Sequence, residues 1–239
     1  MLKKTCTHGK IQYMGTLFIV STPIGNLKDL TIRASEILSN VEYIACEDTR
    51  RTGTLLIQLP NVVRKAHLIS YYEQNEIQRI PQIIGILKNG IDVALISDAG
   101  TPTISDPGFK LVRQSIVEGI KVESIPGPSS VLTALTVSGL PTDKFLFIGY
   151  LPRKEGHRKT LLEDIKNQTV KATIIMFEAP HRLVKTLTEM QEMFGDIDIV
   201  VCRELTKLHE EVRREKISQA IEYFAKVTPK GEFVILFHL

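Results

Sequence analysis

The stretch Val93-Ala-Leu-Ile-Ser-Asp-Ala-Gly-Thr-Pro-Thr-Ile-Ser-Asp-Pro-Gly108 decides the fold. Val93, Ala94, Leu95 and Ile96 form an unbroken apolar run, the pattern of a strand buried on both faces of a sheet. Phe109, Leu111, Val112 and Ile116 then recur at helical spacing, and Asp106 before Pro107 reads as an N-cap followed by proline at the first helical position. Residues 97–105 are therefore expected at the carboxyl edge of a parallel sheet, where open α/β folds hold their ligands.

The composition of this loop restricts what it binds. No Gly-Lys-Ser/Thr follows its glycine and no Gly-x-Gly-x-x-Gly run is present, so a phosphate cradle is not indicated. It offers backbone groups, the hydroxyls of Ser97, Thr101, Thr103 and Ser105, the carboxylates of Asp98 and Asp106, and no cation. Such a loop suits an uncharged or cationic ligand. A long ordered turn is the plainer reading of the same residues.

Outward from this stretch the alternation continues. Strands are expected at 17–20, 43–46, 67–70 and 121–125. A helix capped by Asp29 follows the first, and residues 75–88 read as an amphipathic helix interrupted by Pro81. The second strand delivers Glu47-Asp-Thr-Arg-Arg51 at its end, where acids beside arginines either orient a hydroxyl and grip a phosphate or form an ion-paired turn. Pro126-Gly-Pro-Ser-Ser130 opens a helix whose free N–H groups serve a ligand or are capped by its own serines.

Gly139-Leu-Pro-Thr142 marks the expected boundary between a first α/β domain, 15–140, and a second, 141–239, behind a loose leader, 1–14. In the second half strands at 145–148, 173–177, 197–201 and 233–237 alternate with helices near 159–166, 180–193 and 211–224. Leu151-Pro-Arg-Lys-Glu-Gly-His-Arg-Lys159 is a basic loop suited to a polyanion or to simple solvation. Polar loops after successive strands in both halves suggest two domains sharing a ligand in one cleft.

At 239 residues, 43% apolar and 24% charged, the chain is that of a folded protein, and a net charge of +3 requires any anionic partner to be met by a local patch. Three cysteines without a Cys-x-x-Cys pair exclude a visible metal constellation, and Cys46 and Cys202 end apolar runs, as buried reduced thiols do. Residues 1–14 lack a signal-peptide core and no run reaches the ~20 apolar residues of a bilayer span. A cytoplasmic protein, with no metal and no membrane partner, is the expectation.

Seven segments resemble, in order, motifs of the tetrapyrrole methylase superfamily and, within it, its branch that methylates small-subunit ribosomal RNA. They are Thr22-Pro-Ile-Gly-Asn-Leu-Lys-Asp-Leu-Thr31, Glu47-Asp-Thr-Arg50, the stretch from Ser97 to Gly108, Pro126-Gly-Pro-Ser129, Gly149-Tyr-Leu-Pro-Arg-Lys154, Glu178-Ala-Pro-His-Arg182 and Arg203-Glu-Leu-Thr-Lys207. The resemblance implies two α/β domains with a cleft for S-adenosylmethionine between them. It further implies 2′-O-methylation of a cytidine in the decoding region of 16S rRNA, on the RNA or the small ribosomal subunit, by a homodimer. By motif position, Ile24, Thr101, Ile104, Ser129 and Ser130 would line the cofactor site from the first domain, and Phe177, Glu204 and Glu232 from the second. Glu47 or Asp48 would take or orient the hydroxyl proton, with Arg50 on the adjacent phosphate. Arg153, Lys154, Arg158 and Lys159 would contact RNA. Many members continue beyond the strand at 233–237, so RNA docking here is expected to rely on the two-domain body, the dimer or the basic loop. The competing expectations are a methyltransferase for a tetrapyrrole or other small acceptor, and a non-catalytic RNA-binding ribosome-assembly factor.

Overall fold

The computed structural model describes residues 5–7, 10–58 and 66–239, and the chain divides into two compact units, Met1–Ser129 and Ser130–Leu239. Within the stretch expected to be a loose leader, β1 (Thr5–Thr7) pairs antiparallel with β2 (Lys10–Gln12); residues 1–4 and 8–9 lie outside the described residues.

The first unit continues with β3 (Thr16–Val20), α1 (Ile32–Asn40), β4 (Tyr43–Cys46), α2 (Thr49–Ile57), β5 (His67–Ser70), α3 (Glu76–Lys88), β6 (Val93–Ile96), α4 (Phe109–Val117) and β7 (Lys121–Ile125). The sheet order is β5-β4-β6-β3-β7, with every pairing parallel. Period-two alternation explains the apolar run in β6. Val93 and Leu95 join Leu17 and Ile19 beneath α3 and α4, whereas Ala94 and Ile96 join Val20, Ile44 and Cys46 beneath α1 and α2. The loop after β6 thus leads to one face, and the loops after its neighbours β3 and β4 lead to the other. This divergence marks the topological switch point of the sheet, the edge at which open α/β folds hold their ligands.

Three local expectations are corrected. Helix α1 is capped by Thr31, whose hydroxyl accepts from the Ala34 amide, while Asp29 ends a 3-10 turn, Leu27–Asp29. Helix α4 begins after Gly108, at φ 137°, and not at Asp106-Pro107. The loop reaches it through left-handed backbone at Thr103 (φ 75°) and Ser105 (φ 62°), and a Cβ on Gly108 would stand 2.7 Å from Leu95. Helix α3 runs through Pro81 without interruption.

The second unit comprises α5 (Ser130–Ser138), β8 (Phe145–Tyr150), α6 (Glu155–Lys166), β9 (Thr173–Glu178), α7 (Leu183–Phe194), β10 (Asp198–Arg203), β11 (Glu211–Lys216), α8 (Ile217–Lys226) and β12 (Phe233–His238). Helix α5 falls here although it precedes the boundary expected at 140/141; Arg214 of β11 donates to the carbonyls of Val137 and Ser138 at its end. The order is β11-β10-β12-β9-β8, with β8 and β9 parallel and the remaining pairs antiparallel. Helices α6, α7 and α8 bury Leu162, Leu187 and Phe224 against Ile174, Met176, Ile199, Val201 and Ile235.

Residues 211–216, expected to open a helix, form a strand. Glu211, Arg213 and Glu215 share one face, where Arg213 bonds both carboxylates, and Arg213 also lies 3.6 Å over the ring of Tyr223. The mixed topology brings the ends of β9 and β10 to the edge where β12 starts, since Phe233 pairs with both Glu178 and Arg203.

Candidate active site

Three loops at the carboxyl edge of the first sheet are laced together. Thr22 and Gly100 exchange both backbone hydrogen bonds, 2.9 and 3.0 Å, and the Thr22 hydroxyl donates to the Ser97 carbonyl at 3.3 Å. Thr101 donates to the Pro128 carbonyl at 3.0 Å and lies 3.0 Å from the Ser21 hydroxyl. Gly100 is left-handed, φ 81°, and a Cβ there would come within 3.3 Å of buried Ile24. Of the residues expected to line this site, Ile24 is thus the buried floor and Thr101 a half-buried tie. Ile104 is exposed, and Ser129 and Ser130 are half-buried where α5 begins.

The end of β4 joins the same network through carboxylates. The Asp98 amide donates to Glu47 Oε1 at 3.2 Å, the Asp48 amide donates to Asp98 Oδ1 at 3.2 Å, and Arg51 holds Asp98 Oδ2 at 3.0 Å. Burial, then the negative charge of Asp106, push the Glu47 carboxyl up to about 7; the Asp98 amide and Arg51 oppose this only in part. Asp48 differs. It caps α2, accepting the Arg50 amide at 2.8 Å, and receives the Arg50 guanidinium on both oxygens at 3.1 and 2.8 Å. The Arg50 side chain, then its amide, hold Asp48 far below the usual carboxylate range. Of the two acids expected to take a proton, Glu47 is poised near neutrality and Asp48 is a locked carboxylate. Asp98, which aligns both, went unassigned in the sequence because its partners lie on another strand's loop.

In the second unit Phe177 is half-buried, its ring 4.9 Å from that of Phe147 and 5.5 Å from that of Tyr150. Glu204, left-handed at φ 50°, accepts from the Glu232 amide and from Lys207 Nζ, both at 2.9 Å. Burial alone would raise the Glu204 carboxyl, but these partners, Lys207 foremost, hold it below its usual range. Lys207 also bonds exposed Glu232 at 3.0 Å, so the two acids form one braced corner.

The basic loop divides. Arg153 and Lys154 are exposed, and Lys159 is exposed with Glu155 at 3.0 Å. Arg158 is withdrawn from the RNA-contact group. It is 4% exposed, paired through two nitrogens with Glu189, and donates to the carbonyls of Pro152 and Arg153 at 3.0 and 3.1 Å. Its place on the buried stripe of α6, with Leu162 and Ile165, was the legible sign.

The sequence profile of the family described as Tetrapyrrole (Corrin/Porphyrin) Methylases matches residues 16–221. A ribosomal RNA small subunit methyltransferase I from Thermotoga maritima is 47% identical over 224 residues, covering 93% of this chain and 98% of the relative. Its counterpart from Halalkalibacterium halodurans is 46% identical over 93% of this chain and 75% of the relative. Among solved structures, a cobalt precorrin-4 methyltransferase superposes with TM-score 0.64 at 17% identity, covering 92% of this chain and 94% of that one. A uroporphyrin-III C-methyltransferase from Thermus thermophilus, complexed with S-adenyl homocysteine, gives 0.62 at 18% identity over 93% and 97%. These likenesses carry the fold, and the identity to the ribosomal enzymes carries the group: the chain belongs to the tetrapyrrole methylase family, among the ribosomal RNA small subunit methyltransferases I.

Proposed function

We propose that this protein transfers a methyl group from S-adenosylmethionine to a ribose 2′-hydroxyl of a cytidine in the decoding region of small-subunit 16S rRNA. Besides the relatives' names, the observation that carries this reading is Glu47, a carboxyl that titrates near 7 at the carboxyl edge of a parallel sheet.

The first unit's loops fit the methyl donor chemically. They combine an apolar floor at Ile24, hydroxyls at Thr101 and Ser129, the reach of Ile104 and close backbone approach at Gly100, with no lysine or arginine within residues 97–105 to repel a sulfonium. In this reading Phe177, Glu204 and Glu232 are further cofactor contacts. Bound there, S-adenosylmethionine supplies an electrophilic methyl group.

The chain's own work is to hold the acceptor hydroxyl in line and to remove its proton. Glu47 accepts that proton, and the Asp98 amide at 3.2 Å fixes its carboxylate in place. Asp48 orients Arg50, whose side chain is 90% exposed, so that its remaining N–H groups meet the neighbouring phosphate. Arg153, Lys154 and Lys159 extend the RNA contact. The working form is a cytoplasmic homodimer; among the described residues no helix is long and apolar enough to cross a membrane.

The test is transfer of labelled methyl from S-adenosylmethionine, offered in parallel to small ribosomal subunits lacking the modification, naked 16S rRNA and a tetrapyrrole. Label on a ribose of the subunit or RNA is the expected result. Label on the tetrapyrrole alone would overturn the acceptor, and cofactor binding without transfer would favour an assembly factor.

A further inference from the structure

A cavity of about 770 Å³ opens in the second unit, lined by Tyr150, Leu151, Arg153, Arg158, Ala179, His181, Arg182, Lys185 and Thr186. Its wall carries four permanent cations and a histidine and no carboxylate. Two of those cations are spent below the surface. Arg158 is paired with Glu189, and Arg182 lies 3.2 Å from buried Glu178 while donating to the Leu151 carbonyl at 2.8 Å. These pairs brace the loop after β8 from beneath. They leave Arg153, His181 and Lys185, all exposed, as the rim. Lys185 stands 3.6 Å from Glu155 and 3.9 Å from Glu189, both beyond hydrogen-bonding distance, and Glu155 already holds Lys159 at 3.0 Å. Positive charge at the rim therefore exceeds the carboxylate available to it.

One aromatic ring shares this wall. Gly149, left-handed at φ 66°, lies where the pairing of β8 with β9 slips by one residue between Phe147 and Tyr150. A bulge of this kind re-aims the next side chain. Tyr150 is 54% exposed beside the cavity, backed edge-on by Phe177. A flat aromatic surface next to a surplus of cations matches one nucleotide unit, a base for the ring and a phosphate for the rim. The volume lies within the range of small-molecule sites and exceeds what a bare phosphate fills.

We infer that this cavity is a subsite for one unpaired ribonucleotide of the RNA substrate, its base stacked on Tyr150 and its phosphate held by Arg153, His181 and Lys185. The inference rests on the rRNA-methylating reading and deepens it: the protein takes hold of single-stranded RNA, since a base inside a helix presents no face to Tyr150.

The experiment titrates the full chain with a fluorescent single-stranded RNA of about ten nucleotides, and with a duplex of the same sequence, at two salt concentrations. Tyr150→Ala is expected to weaken single-strand binding roughly 5- to 100-fold, while Tyr150→Phe, which keeps the ring, retains it. Lys185→Ala and Arg153→Ala are each expected to lower the slope of log affinity against log salt by about 0.7, with S-adenosylmethionine affinity unchanged by calorimetry. Equal binding by wild type, Tyr150→Ala and Lys185→Ala overturns the subsite, as does a duplex bound as tightly as the single strand or a wild type that binds neither. Methyl transfer is scored separately. Loss of RNA binding in these variants, without transfer to any RNA by wild type, would sink the assigned activity and leave the subsite standing.

Discussion

A carboxyl that titrates near neutrality weakens its fold whenever it is ionised, and Glu47 is in that position. Its unfolded value is near 4.5 and its folded value about 7, so the folded state binds more protons than the unfolded one between them, and stability falls as pH rises through that window. Glu47→Gln removes the penalty. The variant is expected to melt above wild type at about pH 8 and with it at about pH 4; melting curves across this range check the sign. The same change is expected to cut kcat by about 10²- to 10⁴-fold and to abolish the rise of wild-type kcat/KM through pH about 7, read in a pH–rate profile. Asp48→Asn should behave differently. Asn still caps α2 and loses only the charge that clasps Arg50, so stability changes little and most of kcat remains, because an acid held by Arg50 has little affinity for a proton. If Asp48→Asn alone abolished turnover, the assignment of Glu47 would fail.

At the scale of single elements, legibility followed burial. The strand at 93–96 was plain because both its faces are covered, which leaves four apolar residues in a row. The strand at 211–216 was not: its sequence, Glu-Val-Arg-Arg-Glu-Lys, carries ion pairs at a spacing of two, and charged residues at the start of a helical pattern look the same. Helix starts were misplaced where loop geometry outweighed cap chemistry, as at Gly108, and Glu47's value depends on Asp98 and Asp106, which only the folded loop brings near it. Two substitutions test these elements. Gly108→Ala combines φ 137° with a 2.7 Å approach to Leu95 and should cost about 1–3 kcal/mol, seen in a denaturant titration. Arg158→Ala strands buried Glu189 and should cost about 3–5 kcal/mol, whereas an RNA-contacting arginine would leave the melting point alone.

The chain carries two five-stranded sheets of different construction. In the first, all strands are parallel and the chain finishes the sheet by Ile125. In the second, β12 is the middle strand of five and arrives last, after β9 and β10 have been laid down on either side of it. A chain stopped before Phe233 should therefore keep slow-exchanging amides in β3 to β7 and lose them from β8 to β11; hydrogen exchange would read this strand by strand, and protected β9 amides would contradict it. On a translating ribosome the same arrangement leaves a gap. At ~5–20 residues per second, roughly two to six seconds separate the emergence of β10 from that of β12. Throughout that interval β9 and β10 each offer an unzipped edge to any neighbouring nascent strand, so the second half of this protein is the part that most needs a chaperone's company during its synthesis.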